Sequence, residues 1–454
     1  MTVNITFLGG AGTVTGSKYL VQHDGKSLLV DCGLFQGYKQ LRLRNRNPLP
    51  FLPNKLDAVA LTHAHLDHSG YLPLLVKEGF KGKVWATAGT RDLCEILLPD
   101  SGHIQEEDAA YANRHGFSKH NPALPLYTVE DAKAALKHLH TVPNFAAFEP
   151  IRGWNARFYG AGHILGASSL SLEVGGKRLL FSGDLGRNDD FLMYPPEPPP
   201  AADAVVVEST YGDRSHPPTD LLQELAPALT RVAARGGTAV VPVFAVGRAQ
   251  ALLHAIAQLK ANGTIPHSLP VYLDSPMAIH STELFAKHLG EHRLDAAQCR
   301  DMAHAATMVR SPDESKAISR HHGPKIILAA SGMATGGRVL HHLIQYLGDH
   351  RNMVILTGYQ APGTRGATLL EGAPSLRIHG QDVPVRAELV QLASASAHAD
   401  ANQLMNWLRA VPGHPHRAFV VHGDAQASDT LRRRIENELH WHAMVPEHGS
   451  TWAV

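Results

Sequence analysis

Thiols are scarce in this chain. Cys32, Cys94 and Cys299 are its three cysteines in 454 residues, odd in number, far apart and without a C-x-x-C pair. That excludes a disulfide framework and fits buried thiols in a reducing compartment. An excess of one charge is missing as well: the formal net charge is +1, so any nucleic-acid binding must come from local basic patches and backbone donors. No apolar run approaches the roughly 18 residues of a membrane span. The start, residues 1–5, lacks a basic region followed by an apolar one. The expectation is a soluble, cytoplasmic protein with no membrane partner. There is no internal repeat of fixed period and no extended low-complexity tract beyond the prolines of residues 194–200. What is present is bulk. A chain of 454 residues, 44% of them hydrophobic, is long enough for two or three domains, or for one domain carrying a large insertion.

Histidine is plentiful, with 30 copies, and four ligand types crowd together at one place. The run Thr62-His63-Ala64-His65-Leu66-Asp67-His68-Ser69 reads H-x-H-x-D-H behind the apolar stretch 57–61. Imidazole nitrogen and carboxylate oxygen without thiolate suit Zn²⁺ at an open catalytic centre, or a harder ion such as Mn²⁺, better than a closed structural site. A tight loop after a strand can turn alternate residues toward one ion and the next two toward another. The run therefore reads as half of a two-metal hydrolase site.

Short β-runs broken by Gly turns fill the chain up to about residue 190, at 5–8, 17–22, 27–30, 57–61, 84–86, 157–159, 169–174 and 178–182. Helices are expected at about 91–114 and 129–139. The proline-rich stretch 194–200 stiffens the chain and marks a boundary. Strand, Gly-containing loop and helix then alternate to about 372: strands at 239–243, 271–273, 326–329 and 353–356, and helices from about 249, 282 and 338. Such alternation predicts a parallel sheet with covering helices. After about 373 the β-rich style returns, with strands at 375–379, 385–392 and 418–421 and a helix near 401–410, and the tail is expected to rejoin the first domain.

Further ligand candidates stand at predicted strand ends. His163 follows Gly160-Ala161-Gly162, Asp184 follows Phe181-Ser182-Gly183, and His422 follows Val420-Val421 and precedes Gly423-Asp424. Small neighbours let the backbone turn tightly at an ion. Together these residues resemble the metallo-β-lactamase superfamily and, within it, the β-CASP nucleases. Asp31, His63-x-His65-x-Asp67-His68, His163 and Asp184 match the four superfamily motifs, and Glu208, His398 and His422 match the three β-CASP motifs. The chain departs from the family's habit in Ser394-Ala395-Ser396 and in Asp424.

The resemblance implies an α/β fold: a four-layer αβ/βα metallo-β-lactamase domain at 1–208 and 373–454, interrupted by a β-CASP domain at 209–372. It implies two Zn²⁺ per chain, with Mn²⁺ as an alternative. One would be held by His63, His65, His163 and Asp184, the other by Asp67, His68, Asp184 and His422. Asp184 would bridge them, and Asp31 would sit behind the ligands, holding the His63 loop. Two ions about 3.5 to 4 Å apart support in-line hydrolysis of a phosphodiester by a two-metal hydroxide mechanism. Asp67, His398 and Glu208 are the expected catalytic residues, His398 as general acid for the leaving 3′-oxygen and Glu208 orienting it.

Among β-CASP proteins, histidine at the position of His422 resembles the RNA-acting members, which points to single-stranded RNA as partner. The expected enzyme is an endoribonuclease of RNA processing or decay leaving 5′-phosphate and 3′-hydroxyl ends, like bacterial and archaeal homologues of the nuclease subunit of the cleavage and polyadenylation specificity factor. Exonuclease activity in the 5′-3′ direction and homodimer formation stay open. The alternatives are a DNA nuclease, a small-molecule metallohydrolase and a non-catalytic RNA-binding scaffold. A small-molecule hydrolase has no need of the long α/β insertion, and a scaffold predicts eroded ligands.

Within the insertion, Gly- and Arg-containing loops at 244–248, 331–338 and 358–365 suit phosphates through backbone N–H groups, helix N-termini and guanidinium. Arg248, Ser331, Arg338 and Arg365 are the candidates. The glycines of residues 9–16 fall as G-x-G-x-x-x-G ahead of a strand, which is a poor dinucleotide fingerprint. The basic runs 41–46 and 432–434 read as solvated faces. His321-His322 and His341-His342 have no carboxylate at ligand spacing and read as surface or helix residues.

Overall fold

The structure is a computed structural model that describes residues 2–116, 120–361 and 363–454. Pro362, inside the 358–365 loop, lies outside them. The chain divides into two units, Met1–Ser215 with His398–Val454, and His216–Ala397.

In the first unit the described residues form two seven-stranded sheets. One runs in the order Thr451–Ala453, Asn4–Gly9, Lys18–His23, Lys26–Val30, Ala58–Ala60, Lys83–Ala86, Leu139–Thr141. The other runs Ala443–Met444, Arg417–Val421, Ala204–Glu208, Lys177–Phe181, Ser168–Val174, Trp154–Gly160, Phe148–Ile151. The strand patterns follow from position. Residues 154–158 of Trp154–Gly160 alternate buried and exposed, as a strand with one wet face must. Ala58–Ala60 and Ala204–Glu208, each paired in parallel on both sides, are buried throughout, the mark of interior parallel strands. The sheets face each other across one apolar core, where Ile5, Phe7 and Leu28 meet Phe158, Leu170 and Phe181. Phe7 and Phe419 touch across it at 4.9 Å between ring centroids. Helix Ala88–His115 packs on the outer side of one sheet against Leu139–Thr141, and Ala425–Arg434 on that of the other against Arg417–Val421. This is the αβ/βα layering of the metallo-β-lactamase fold.

The second unit is an α/β layer. Its six-stranded sheet has the order Thr307–Met308, Val271–Asp274, Lys325–Ala329, Thr238–Pro242, Met353–Thr357, Glu388–Leu392, and every pair is parallel. Helices alternate with these strands. The helix expected from about 282 begins earlier, at Pro276–Lys287, because Ser275 accepts from the Ala278 N–H and Pro276 stands at the first turn, a strong start signal.

The prolines of 194–200 lie inside the first unit, since the chain re-enters the second sheet as Ala204–Glu208, between Lys177–Phe181 and Arg417–Val421. The return from the insertion comes after Ala397 rather than at 373. Glu388–Leu392 pairs along its length with Met353–Thr357, covering an edge that would otherwise be open. Arg231 and Arg235 fasten it through the Glu388 carboxylate at 2.8 and 2.6 Å.

All three cysteines are buried and free. Among the described residues no helix is long and apolar enough to cross a membrane.

Candidate metal centre

Strand ends of the first unit deliver the site. Asp31 follows Lys26–Val30, the 62–69 loop follows Ala58–Ala60, His163 follows Trp154–Gly160, Asp184 follows Lys177–Phe181, Glu208 ends Ala204–Glu208 and His422 follows Arg417–Val421. The chain must turn sharply at these points. Asp31 and His422 adopt φ of 59° and 49°, rare for residues with a side chain and a local cost accepted at functional positions. Gly183, at φ 58°, meets no such steric cost. A Cβ there would stand 2.9 Å from both the Ser168 carbonyl and Thr62.

Three clusters of ligand atoms result, two of them the candidate ion sets. His63, His65, His163 and Asp184 bring ligand atoms within 4.8 Å of one another, and so do Asp67, His68 and His422; Asp184, Glu208 and His398 form the third. Asp184 serves both ion sets. Its Oδ2 lies 3.5 Å from His63 Nε2 and 3.6 Å from His163 Nε2, while its Oδ1 lies 3.3 Å from His68 Nε2 and 3.4 Å from His422 Nδ1. His422 Nε2 is 3.3 Å from Asp67 Oδ2. His163 Nε2 is 3.2 Å from His65 Nδ1.

Behind them Asp31 accepts hydrogen bonds from the Thr62 N–H at 2.8 Å and the Thr62 hydroxyl at 2.9 Å, and its Oδ2 is 2.7 Å from His68 Nδ1. That leaves His68 Nε2 to face the centre, the carboxylate–imidazole arrangement that orients metal-binding histidines.

These residues fit divalent metal. His63 Nε2, His68 Nε2 and Asp184 Oδ1 are buried with no hydrogen-bond partner, a costly arrangement for polar atoms unless a cation completes it. Burial holds the His63 imidazole well below its usual pKa and brings His65 down to about 4, so both present neutral nitrogen. Burial alone would raise Asp184, but His422, His68 and His63 outweigh it and hold the carboxyl well below the usual range. The same donor set, nitrogen and oxygen without sulfur, suits zinc or manganese.

Beside the centre, His398 Nδ1 lies 3.1 Å from Glu208 Oε1 and 3.2 Å from Oε2. Glu208 is itself pinned, accepting from the Leu185 N–H at 2.7 Å and the Thr210 N–H at 3.2 Å. A backbone bridge to Gly186 and the Ala399 N–H donating to Leu185 at 2.7 Å seat the His398 segment. The His398 ring centroid is 4.4 Å from that of His163. Burial disfavours its charged form, yet the Glu208 carboxylate overrides burial and raises its pKa above the usual value.

Three family models match in chain order: Metallo-beta-lactamase superfamily at residues 11–222, Beta-Casp domain at 249–369, and Zn-dependent metallo-hydrolase RNA specificity domain at 382–446. The chain is 37% identical over 432 residues to "Ribonuclease TTHA0252" of Thermus thermophilus, covering 93% of this chain and 94% of the relative. The chain belongs to the β-CASP ribonuclease family. It is also 29% identical to "Transcription termination factor FttA" of Methanocaldococcus jannaschii, across 96% of this chain and 70% of the relative. With "Cleavage and polyadenylation specificity factor 73" of Drosophila melanogaster it shares 28% identity, across 94% and 61%.

In the β-CASP unit the four phosphate candidates are engaged locally. Arg248 is buried and donates to the Ala395 carbonyl at 2.8 Å. The Ser331 hydroxyl accepts from the Thr335 and Gly336 N–H groups at 3.0 and 3.3 Å. Arg365 donates to the carbonyls of Arg377 and Thr335 at 2.9 and 3.2 Å. Arg338 meets the fully buried Asp274 at 2.7 Å, and His342 Nε2 meets the other Asp274 oxygen at 2.7 Å.

His342 thus has a carboxylate companion after all, supplied by a distant strand that no local spacing reveals. Of the basic runs, Arg432, Arg433 and Arg434 pair with Asp429, Glu436 and Glu438 on their own helical segment. Lys18, buried close to the centre, is a residue that sequence reasoning passed over. It is a lone lysine opening a strand, and only its 2% exposure marks it.

Proposed function

We propose that this β-CASP protein is a metal-dependent endoribonuclease that hydrolyses phosphodiester bonds of single-stranded RNA, leaving 5′-phosphate and 3′-hydroxyl ends. Zinc is the resident ion of this reading, two per chain, with manganese as substitute. The observation that carries it is Asp184, one carboxylate with an oxygen turned toward each ligand set. Two divalent ions held there would lower the pKa of water toward neutrality and neutralise charge on the phosphoryl oxygens.

The chain's own residues do the rest. His63, His65 and His163 would hold one ion, Asp67, His68 and His422 the other, and Asp184 would serve both sets. Asp31 fixes the His68 ring through its Nδ1. His398, kept protonated by Glu208, stands beside the centre and delivers a proton to the leaving 3′-oxygen. Glu208 keeps that ring in one orientation by accepting at Nδ1, which leaves Nε2 to face the reacting group. RNA is favoured over DNA by the histidine at 422 and by relatives named as a ribonuclease.

The test uses matched 5′-labelled RNA and DNA oligonucleotides with Zn²⁺, Mn²⁺ or chelator, and maps product ends. Internal cuts in RNA bearing 5′-phosphates, abolished by chelator, are expected. DNA cut as readily as RNA, or RNA shortened only from its 5′ end, would overturn the reading.

A further inference from the structure

The glycine loop of residues 9–16, a poor dinucleotide fingerprint, reaches the metal centre through its backbone. The His422 N–H donates to the Gly10 carbonyl at 2.6 Å, and the Ser17 N–H donates to the Asp67 carbonyl at 2.9 Å. Both bonds end on the Asp67, His68 and His422 set. Residues 31–34 grip the same set from the other side. The Cys32 N–H donates to the His68 carbonyl at 2.7 Å, and Leu34 N–H to Leu66 at 2.8 Å. A Cβ on Gly33 would fall 1.6 Å from the Asp67 carbonyl oxygen, so those two peptides lie in contact.

One side chain ties the two grips together. Lys18 donates to the Gly16 carbonyl at 3.1 Å and also to the Gly33 carbonyl. Its ammonium lies 4.6 Å from the Phe35 ring centroid and 4.8 Å from that of Tyr71, a contact favourable to a desolvated cation. Phe35 is locked in turn by Asn45, which accepts from its N–H at 2.9 Å and donates to its carbonyl at 2.8 Å. Thr15 closes the glycine loop onto Gly10 at 3.1 Å and donates its hydroxyl to the Leu34 carbonyl at 3.0 Å. A buried ammonium is an expensive way to join two carbonyls that water or a small polar group could satisfy. Its place behind one ligand set gives that expense a purpose.

We infer that Lys18 is a positioning residue for one half of the metal centre: by bracing Gly16 against Gly33 it sets the peptides that carry Asp67 and His422, and with them the affinity of that ligand set for a divalent ion. The inference rests on the two-ion reading above, and its test separates the two.

Metal-free protein is titrated with Zn²⁺ by calorimetry, as wild type, Lys18→Met and Lys18→Gln, with His63→Ala and His422→Ala assigning each binding step to its ligand set. The readout is the ratio of the two affinities. Supporting residues behind ligands typically change metal affinity about 10- to 100-fold. Lys18→Met should therefore weaken the His422 step tenfold or more while moving the His63 step less than about threefold, and Lys18→Gln, which keeps a donor for one carbonyl, should fall between. An unchanged ratio, or equal weakening of both steps, overturns the inference. If Lys18→Met gives no cooperative melting transition, the ratio in Lys18→Gln decides. Wild type binding a single equivalent would instead refute the two-ion reading.

Discussion

At the residue scale, His398 and the ligands should separate cleanly in experiment. His398 lies outside the two sets proposed to hold the ions, although it shares a third cluster of ligand atoms with Asp184 and Glu208, so His398→Ala is expected to lower kcat on single-stranded RNA about 10²- to 10⁴-fold while bound zinc, measured on the same sample, stays at the wild-type amount. Zinc lost together with rate would make His398 a ligand instead. Lys18 makes a pH prediction. Burial lowers its pKa from 10.5 to about 8, so between those values the unfolded chain binds the proton that the folded chain has released. Stability should rise as pH rises across that window, by up to about 3 kcal/mol, and Lys18→Met should abolish the rise. Urea denaturation at pH 8 and pH 10 reads the difference, and a slope equal in the two proteins would contradict it.

At the scale of elements, the Asp274 cluster should matter to the β-CASP unit as a brace. Despite burial, which pushes the other way, His342, Ser315 and Arg338 hold the Asp274 carboxyl below its usual pKa. Its contribution is therefore present above the unfolded value and lost as pH falls through the folded one. Asp274→Asn leaves the Arg338 charge without its partner and should destabilise the unit by about 3 kcal/mol, seen as an earlier denaturation midpoint at pH 7. A change below about 0.5 kcal/mol, the ordinary range for surface substitutions, would deny it that role.

This cluster also marks where sequence stops being informative. The H-x-H-x-D-H loop is legible because all its ligands lie within six residues. His163, Asp184 and His422 are legible through small residues at strand ends, although sixty and more positions separate some of them. Asp274 and His342 meet only because parallel strands and their helices stack, and nothing in the spacing of 274 and 342 reports it. The edge strand Glu388–Leu392 was likewise visible as a strand but not as a member of the inserted sheet. Pairing partners are set by tertiary geometry, while alternation shows only which face is buried.

At the scale of the whole molecule, all seven proposed ligands belong to the unit made of Met1–Ser215 and His398–Val454. Saturating metal, at about a thousand times its dissociation constant, should stabilise that unit by about 4 kcal/mol per site. Calorimetric melts with Zn²⁺ and with chelator are expected to shift the part of the unfolding enthalpy that belongs to this unit and to leave the part belonging to His216–Ala397 in place. A uniform shift of the whole transition would mean that the two units unfold together. The order of the strands has a consequence during synthesis. Asp31, the 62–69 loop, His163 and Asp184 leave the ribosome early, but His398 and His422 wait until the insertion has been made. A nascent chain stalled anywhere in that insertion owns three histidines and a carboxylate for one ion, yet has neither proton donor nor completed partner site. An unfinished copy thus lacks the groups proposed to donate the proton and to complete the second ligand set, because both come from residues 398–454.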